Sequence, residues 1–97
     1  MIYINEAHAA DVWNIGESAC TINYKHQTLE DRIKYAVKFK DEFDFRIPIY
    51  VDNMNNDFET IFSAWPFRYF IIKNDIIKFI PQPNDSTYDI TEIFNNI

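Results

Sequence analysis

The feature that most constrains this chain is one amphipathic helix signal set between two short apolar runs. Thr28-Leu29-Glu30-Asp31 has the form of a capping box, with a hydroxyl able to accept from an early amide and acids in the electropositive first turn. Helical spacing then puts Leu29, Ile33, Ala36 and Val37 on one stripe, with Glu30, Lys34 and Asp41 elsewhere, and predicts a helix that ends near Glu42. Met1-Ile2-Tyr3-Ile4 upstream and Ile47-Pro48-Ile49-Tyr50-Val51 downstream read as strands, because short runs rich in β-branched and aromatic residues suit a buried strand better than a helix. Strand, helix and strand in that order make the parallel unit of α/β sheets.

The remainder is read against that unit. A polar stretch from Ala10 to Gln27, holding Gly16 and Cys20, keeps neither a period of 2 nor one of 3.6, and connections of that length in a small domain are often functional. Asn53 to Asn56 form a turn, and Asp57 is expected to cap a brief helix whose inward residues are Phe58, Ile61 and Phe62. Tyr69 to Ile72 and Ile76 to Ile80 read as strands joined by Lys73-Asn74-Asp75, short enough for a hairpin. Pro81 and Pro83 stop the last strand, and Asp89 to Glu92 repeat the capping pattern ahead of Ile90, Ile93, Phe94 and Ile97. No repeat or second domain is visible, so residues 1–97 are expected to form one α/β domain, a thioredoxin-like sandwich.

Composition excludes several functions. With 47% hydrophobic and 18% aromatic residues there is material for a small packed core. A net charge of −6 argues against a nucleic-acid surface, and Lys34, Lys38 and Lys40 are interleaved with acids in the manner of a solvated helix face. No apolar run is long enough to cross a bilayer, and no basic, then apolar leader opens the chain, so as written it reads as cytoplasmic. The single cysteine, Cys20, excludes an internal disulfide and a cysteine-based zinc site.

The chemistry-bearing pair is Glu6 and His8, two residues apart at the carboxyl end of the first strand, where ligands collect in open α/β sheets. An imidazole, with an ordinary pKa of ~6.5, can transfer a proton or polarise a phenol at neutral pH, and Glu6, one strand period away, shares its face and could orient it. The plain alternatives are a strand-end histidine satisfied by backbone and a solvated acid. His26 stands just ahead of the helix and by position alone covers its entrance. Arg68 offers a fork for a carboxylate or phenolate, or a surface ion pair. Pro66 suits a cis peptide next to a substrate. Trp13 suits an aromatic wall, and Trp65 a core position. Asp52, Met54 and Asn56 read as framework for a strand-to-turn transition, and the two histidines with Glu6 do not amount to a metal site.

Taken together, several segments resemble the iodothyronine deiodinases, thioredoxin-fold relatives of the peroxiredoxins. They are Tyr3 to Ala9 with Asp11 and Trp13, His26 to Arg32 with Ala36, Pro48 to Asn56, Ala64 to Tyr69, and Tyr88 before the last helix. The resemblance implies a reductive dehalogenase in which a selenocysteine or cysteine removes iodine from an aromatic ring and a thiol cosubstrate regenerates it, with no other cofactor. It implies His8 and Glu6 as the active-site pair, His26 and Arg68 as substrate-binding residues, and Trp13 near the site. Val12 departs from a usual glycine, Phe67 from an acid, and Pro81 to Asn84 from a glycine-rich loop, and these differences bear on substrate more than on fold.

By the same resemblance the nucleophile and a central strand lie upstream of the Glu6/His8 strand, so the sandwich is expected to be incomplete at its N-terminus, with Cys20 out of place as a nucleophile. The expectation is a fragment inactive by itself, its translation begun at Met1 after a selenocysteine codon was read as a stop. Unpaired sheet edges would then favour a homodimer. Expected partners are a halogenated aromatic molecule and a thiol reductant, with membrane association if an N-terminal anchor exists. The rivals are a thioredoxin-like pseudoenzyme that binds without redox chemistry and a peroxiredoxin-like peroxide reductase.

Overall fold

A computed structural model describes residues 1–16 and 23–97, and Cys20 therefore lies outside the described residues. The chain is a small mixed α/β protein that divides into two compact units, Met1–Pro66 and Phe67–Ile97. The described strands form two separate two-stranded sheets, one in each unit.

In the first unit, β1 (Ile2–Tyr3) and β2 (Tyr50–Val51) pair in parallel, Ile2 opposite Tyr50 and Tyr3 opposite Val51. The amides of Tyr50 and Asp52 donate to the carbonyls of Met1 and Tyr3, each at 2.9 Å. β2 is shorter than the apolar run Ile47 to Val51, and ahead of it the Pro48 carbonyl accepts from the Met1 amino group at 2.8 Å. α1 (Leu29–Glu42) connects the two strands. Its capping box is present: Thr28 Oγ1 accepts from the Asp31 amide at 3.1 Å, and Asp31 Oδ2 accepts from the Thr28 amide at 3.3 Å.

The inward face of α1 differs from the expected stripe. Leu29, Ile33 and Val37 are exposed, and Arg32 and Ala36 are the buried positions, followed one turn on by half-buried Phe39. The helix is rotated so that Arg32, Tyr35, Ala36 and Phe39 face in, at the same i, i+3, i+4, i+7 spacing. Burying a guanidinium requires partners for its donors, and the unit supplies them, as described below. Phe39 contacts Phe43, Phe45 and Tyr3 at ring-centroid distances of 5.0, 5.3 and 6.3 Å. Among the described residues of this unit the buried apolar side chains are small, Ala9, Ala36 and Ala64, and the buried polar ones are Asn23, His26, Arg32 and Asp52.

α2 (Asp57–Phe62) follows a turn. Asp57 does not cap it. The buried Asp52 carboxylate reaches across the turn and accepts from the amides of Asn53, Phe58 and Glu59 at 2.9, 3.0 and 3.0 Å, while Asn53 Oδ1 accepts from the Asp57 amide at 3.1 Å. Asp52 thus satisfies amides that helix geometry leaves orphaned. Phe58 and Phe62 stack at 4.4 Å, but Ile61 faces solvent. The Trp65–Pro66 peptide is cis. Trp65 is 39% exposed and not a core residue.

In the second unit, β3 (Ile71–Lys73) and β4 (Ile76–Phe79) form an antiparallel hairpin. Its loop is the two residues Asn74 and Asp75, both with positive φ, the combination that matches strand twist in a tight hairpin. Ile71 pairs with Phe79 and Ile72 with Ile77, so Lys78 is the extra residue of a bulge. Pro81 is fully buried. α3 (Ile90–Asn95) starts as expected at Asp89, whose Oδ1 accepts from the amides of Thr91 and Glu92 at 2.8 and 3.2 Å.

Candidate functional site

In the first unit the chain leaves β1 and turns at once into the residues singled out by sequence. Glu6 and His8 go different ways. Glu6 Oε2 accepts from the Tyr3 hydroxyl at 2.8 Å and from Asn23 Nδ2 at 3.5 Å, and Asn23 Oδ1 in turn accepts from Lys38 Nζ at 3.4 Å. Lys38 is thus tied into the site and not only part of a solvated face. Burial pushes the Tyr3 phenol well above its ordinary range, and the negative charge of Glu6 and the bond to it push the same way. Tyr3 is therefore a fixed donor.

His8 turns to Trp13. Its ring lies 4.5 Å from the indole, and its Nδ1 donates to the Trp13 carbonyl at 3.3 Å, which leaves Nε2 as the nitrogen with a lone pair. Trp13 is itself 6.3 Å from Trp65, and both indoles are substantially exposed. The geometry comes from the stretch after β1: the amides of Val12 and Trp13 both donate to the carbonyl of fully buried Ala9 at 3.0 Å. The Ala10 amide bonds the Asn23 carbonyl at 2.7 Å, and the Lys25 amide bonds Asp11 Oδ1 at 2.7 Å, so both ends of the long connection are fastened beside the site.

His26 belongs with Glu6 and Tyr3. It is 3% exposed, stacked against Tyr3 at 6.0 Å and close to Tyr35 at 5.0 Å. Its Nδ1 accepts from Arg32 Nε at 3.0 Å, and Arg32 Nη1 donates to the carbonyls of Asp52 at 3.2 Å and Asn53 at 2.7 Å. Burial lowers the His26 pKa, and the Arg32 charge lowers it further, against smaller opposing effects of Glu6 and Asp31.

Arg68 lies in the second unit. Its Nη1 donates to the Phe67 carbonyl at 3.0 Å and to the Tyr88 hydroxyl at 3.2 Å. Tyr88 is buried between Phe67 and Tyr69, whose rings lie at 5.2 and 4.9 Å. Among the described residues Arg68 is held by backbone and phenol, and not by the surface acid that was its plain alternative.

Tyr3, Arg32 and Asn23 are functional neighbours to which sequence reasoning gave no role. A signal for Arg32 existed: it stands four residues before Ala36 on one helix face and six after His26. Tyr3, one residue inside the strand and three before Glu6, gave a weaker one.

Glu6 and Tyr3 thus share a part-buried hydrogen bond with buried His26 stacked on the phenol, and His8 stands with two exposed indoles on the same unit. All of residues 1–97 match the family model for iodothyronine deiodinase. The chain is 30% identical over 93 residues to thyroxine 5-deiodinase of Gallus gallus, a match that covers 96% of this chain and 35% of that protein. It is 30% identical over 98 residues to thyroxine 5-deiodinase of Sparus aurata, covering 98% and 35%. With type I iodothyronine deiodinase of Xenopus laevis it shares 34% identity over 73 residues, covering 75% and 28%. The chain belongs to the iodothyronine deiodinase family. It spans about a third of the length of the curated relatives it matches. No described helix is long and apolar enough to cross a membrane.

Proposed function

We propose that this chain forms the substrate-facing part of a reductive deiodinase with a thioredoxin-like fold, acting on an iodinated aromatic such as thyroid hormone. The observation that carries the reading is the separation of roles inside one family-matched segment: His8 presents an Nε2 that has no partner among the described residues, beside Trp13, while Glu6 is braced by Tyr3 and Asn23. The parallel β1–α1–β2 unit, the following hairpin and the terminal helix support the thioredoxin-like assignment.

In this reading a selenolate or thiolate, from polypeptide that the family possesses outside these 97 residues, attacks iodine. The Se–I or S–I bond forms as the C–I bond breaks, and the ring carbon takes a proton. Two equivalents of a thiol cosubstrate then reduce the selenenyl or sulfenyl iodide, giving iodide, a disulfide and the regenerated nucleophile. His8 serves the proton step in this reading, while Glu6 acts through its own bonds to Tyr3 and Asn23. Trp13 and His26 contact the substrate, and Arg68 binds an anionic group on it through its fork.

The test is thyroxine binding by the 97-residue chain, read by quenching of tryptophan fluorescence. Iodide release with a dithiol is then measured for the longest polypeptide that encodes this segment. Saturable binding that weakens in His8→Ala and Arg68→Ala, with iodide release lost in both, supports the reading. Binding without iodide release or peroxide consumption would leave a binding module instead.

A further inference from the structure

The contact between Arg32 and His26 allows only one placement of the imidazole proton. A guanidinium has donors and no acceptor. With Arg32 Nε directed at His26 Nδ1 at 3.0 Å, Nδ1 must hold a lone pair, and the ring proton sits on Nε2. The guanidinium cannot swing away freely, because Nη1 is bonded to the carbonyls of Asp52 and Asn53 at the end of β2 and the side chain is 1% exposed. Adding a second proton at Nδ1 would set an N–H against an N–H of a cation.

The other nitrogen has no such partner. His26 Nε2 is buried and makes no hydrogen bond among the described residues. Buried donors in folded proteins are satisfied as a rule, so a buried N–H held in place with nothing to bond is a donor awaiting an acceptor. The groups facing the ring are Tyr3 and Glu6 from the β1 side and Asp31, Arg32 and Tyr35 from α1. His8 shows the opposite pattern, with its proton on Nδ1 and its lone pair on Nε2.

We infer that Arg32 is a positioning residue that fixes His26 as a neutral Nε2–H donor, so that this imidazole donates a hydrogen bond to an acceptor atom of the substrate and does not act as a base. The use of the donor rests on the deiodinase reading; the placement of the proton rests on the Arg32 contact alone. The two histidines then divide the work, His8 with a lone pair to offer and His26 with a proton.

The decisive measurement is long-range proton–nitrogen correlation NMR of the histidine rings in the 15N-labelled 97-residue chain, titrated through the range around ~6.5 where a free imidazole gains its proton. The expected result is a His26 ring with protonated Nε2 and bare Nδ1 throughout that range. A proton on Nδ1, or a ring that titrates like free imidazole, overturns the inference. In Arg32→Met, provided its circular dichroism matches the parent, the His26 proton is expected no longer to be confined to Nε2, with protonation of Nδ1 becoming visible; a ring still protonated on Nε2 alone there also overturns it. Should that variant fail to fold, two His26 substitutions decide. His26→Asn keeps an acceptor for Arg32 but loses the outer donor, and His26→Gln keeps a donor near Nε2. Thyroxine binding is expected to fall about tenfold or more in His26→Asn and within about threefold in His26→Gln; the reverse order overturns the donor role. Absence of thyroxine binding by the parent chain removes the deiodinase reading and the donor's use together, while the titration still decides the role of Arg32.

Discussion

Asp52 holds the start of α2 from six residues upstream, its two carboxylate oxygens accepting from the Phe58 and Glu59 amides at 3.0 Å each. Its own backbone carbonyl is a landing point for Arg32. The end of β2 therefore joins the cap of one helix to the buried guanidinium of another, and both depend on a residue at the sheet's edge.

Removing that carboxylate leaves three backbone amides without their acceptor in a buried setting. Asp52→Ala is expected to cost about 2–4 kcal/mol in urea unfolding, and Asp52→Asn, which retains one acceptor oxygen, about half as much. A loss below about 0.5 kcal/mol for the alanine variant would show that solvent replaces the cap.

Tyr3 sets an alkaline limit on stability. Its folded-state pKa is raised, so the native chain retains this proton where the unfolded chain, with an ordinary tyrosine pKa of ~10, releases it. The native state then binds more protons, and stability is complete below about pH 10 and falls as pH rises beyond it. Tyr3→Phe is expected to lose about 1–2 kcal/mol at neutral pH through the missing bond to Glu6, and to show a shallower decline above pH ~10. Denaturant midpoints of parent and variant from neutral to alkaline pH make the comparison, and parallel curves would contradict it.

His26 sets the acid limit. Its folded-state pKa is lowered, so below about 6.5 the unfolded chain binds a proton that the native chain refuses. Stability is full above that pH and is lost as pH falls toward the folded-state value. In His26→Asn this part of the acid limb is expected to flatten, because the group that titrates is gone. Thermal unfolding at a series of pH values below 7 tests it; an acid limb of unchanged slope would place the sensitivity on the carboxylates.

Much of the backbone was legible in sequence because local chemistry dictates it. Thr28 with Asp31 marks the start of α1, Asp89 marks α3, and Asn74-Asp75 makes the hairpin, each through bonds spanning a few residues. The face of α1 was not legible. Leu29, Ile33 and Val37 form a good stripe, but the unit buries Arg32 because His26 and the end of β2 offer it three acceptors, and those come from residues 6, 20 and 21 positions away. The same holds for the cap of α2, where Asp52 outcompetes the nearer Asp57. Glu6 and His8 were found as candidates from spacing, but their partners were not, because alternation in a strand says nothing about the chain once it turns after Tyr3. Trp65 followed the general preference of indoles for cores and stands at the surface next to Trp13.

The second unit offers a test of how Arg68 is aimed. Arg68 Nη1 is engaged by the Phe67 carbonyl and the Tyr88 hydroxyl, and Tyr88 also donates to that carbonyl at 3.3 Å, so phenol, carbonyl and guanidinium form a closed triangle. Arg68 Nε and Nη2 have no partner among the described residues, and they are the donors through which a carboxylate or phenolate would be held. Tyr88→Phe keeps the ring between Phe67 and Tyr69 and removes only the hydroxyl, so it is expected to cost about 1 kcal/mol in stability. Its effect on thyroxine binding is expected to be about threefold to tenfold, against about tenfold or more for Arg68→Ala, since a loosened fork still binds and an absent one does not. The double variant decides between positioning and independent contact. If Tyr88 works by aiming Arg68, the double variant binds no worse than Arg68→Ala, whereas losses that multiply would mean that the Tyr88 hydroxyl contacts the ligand for itself.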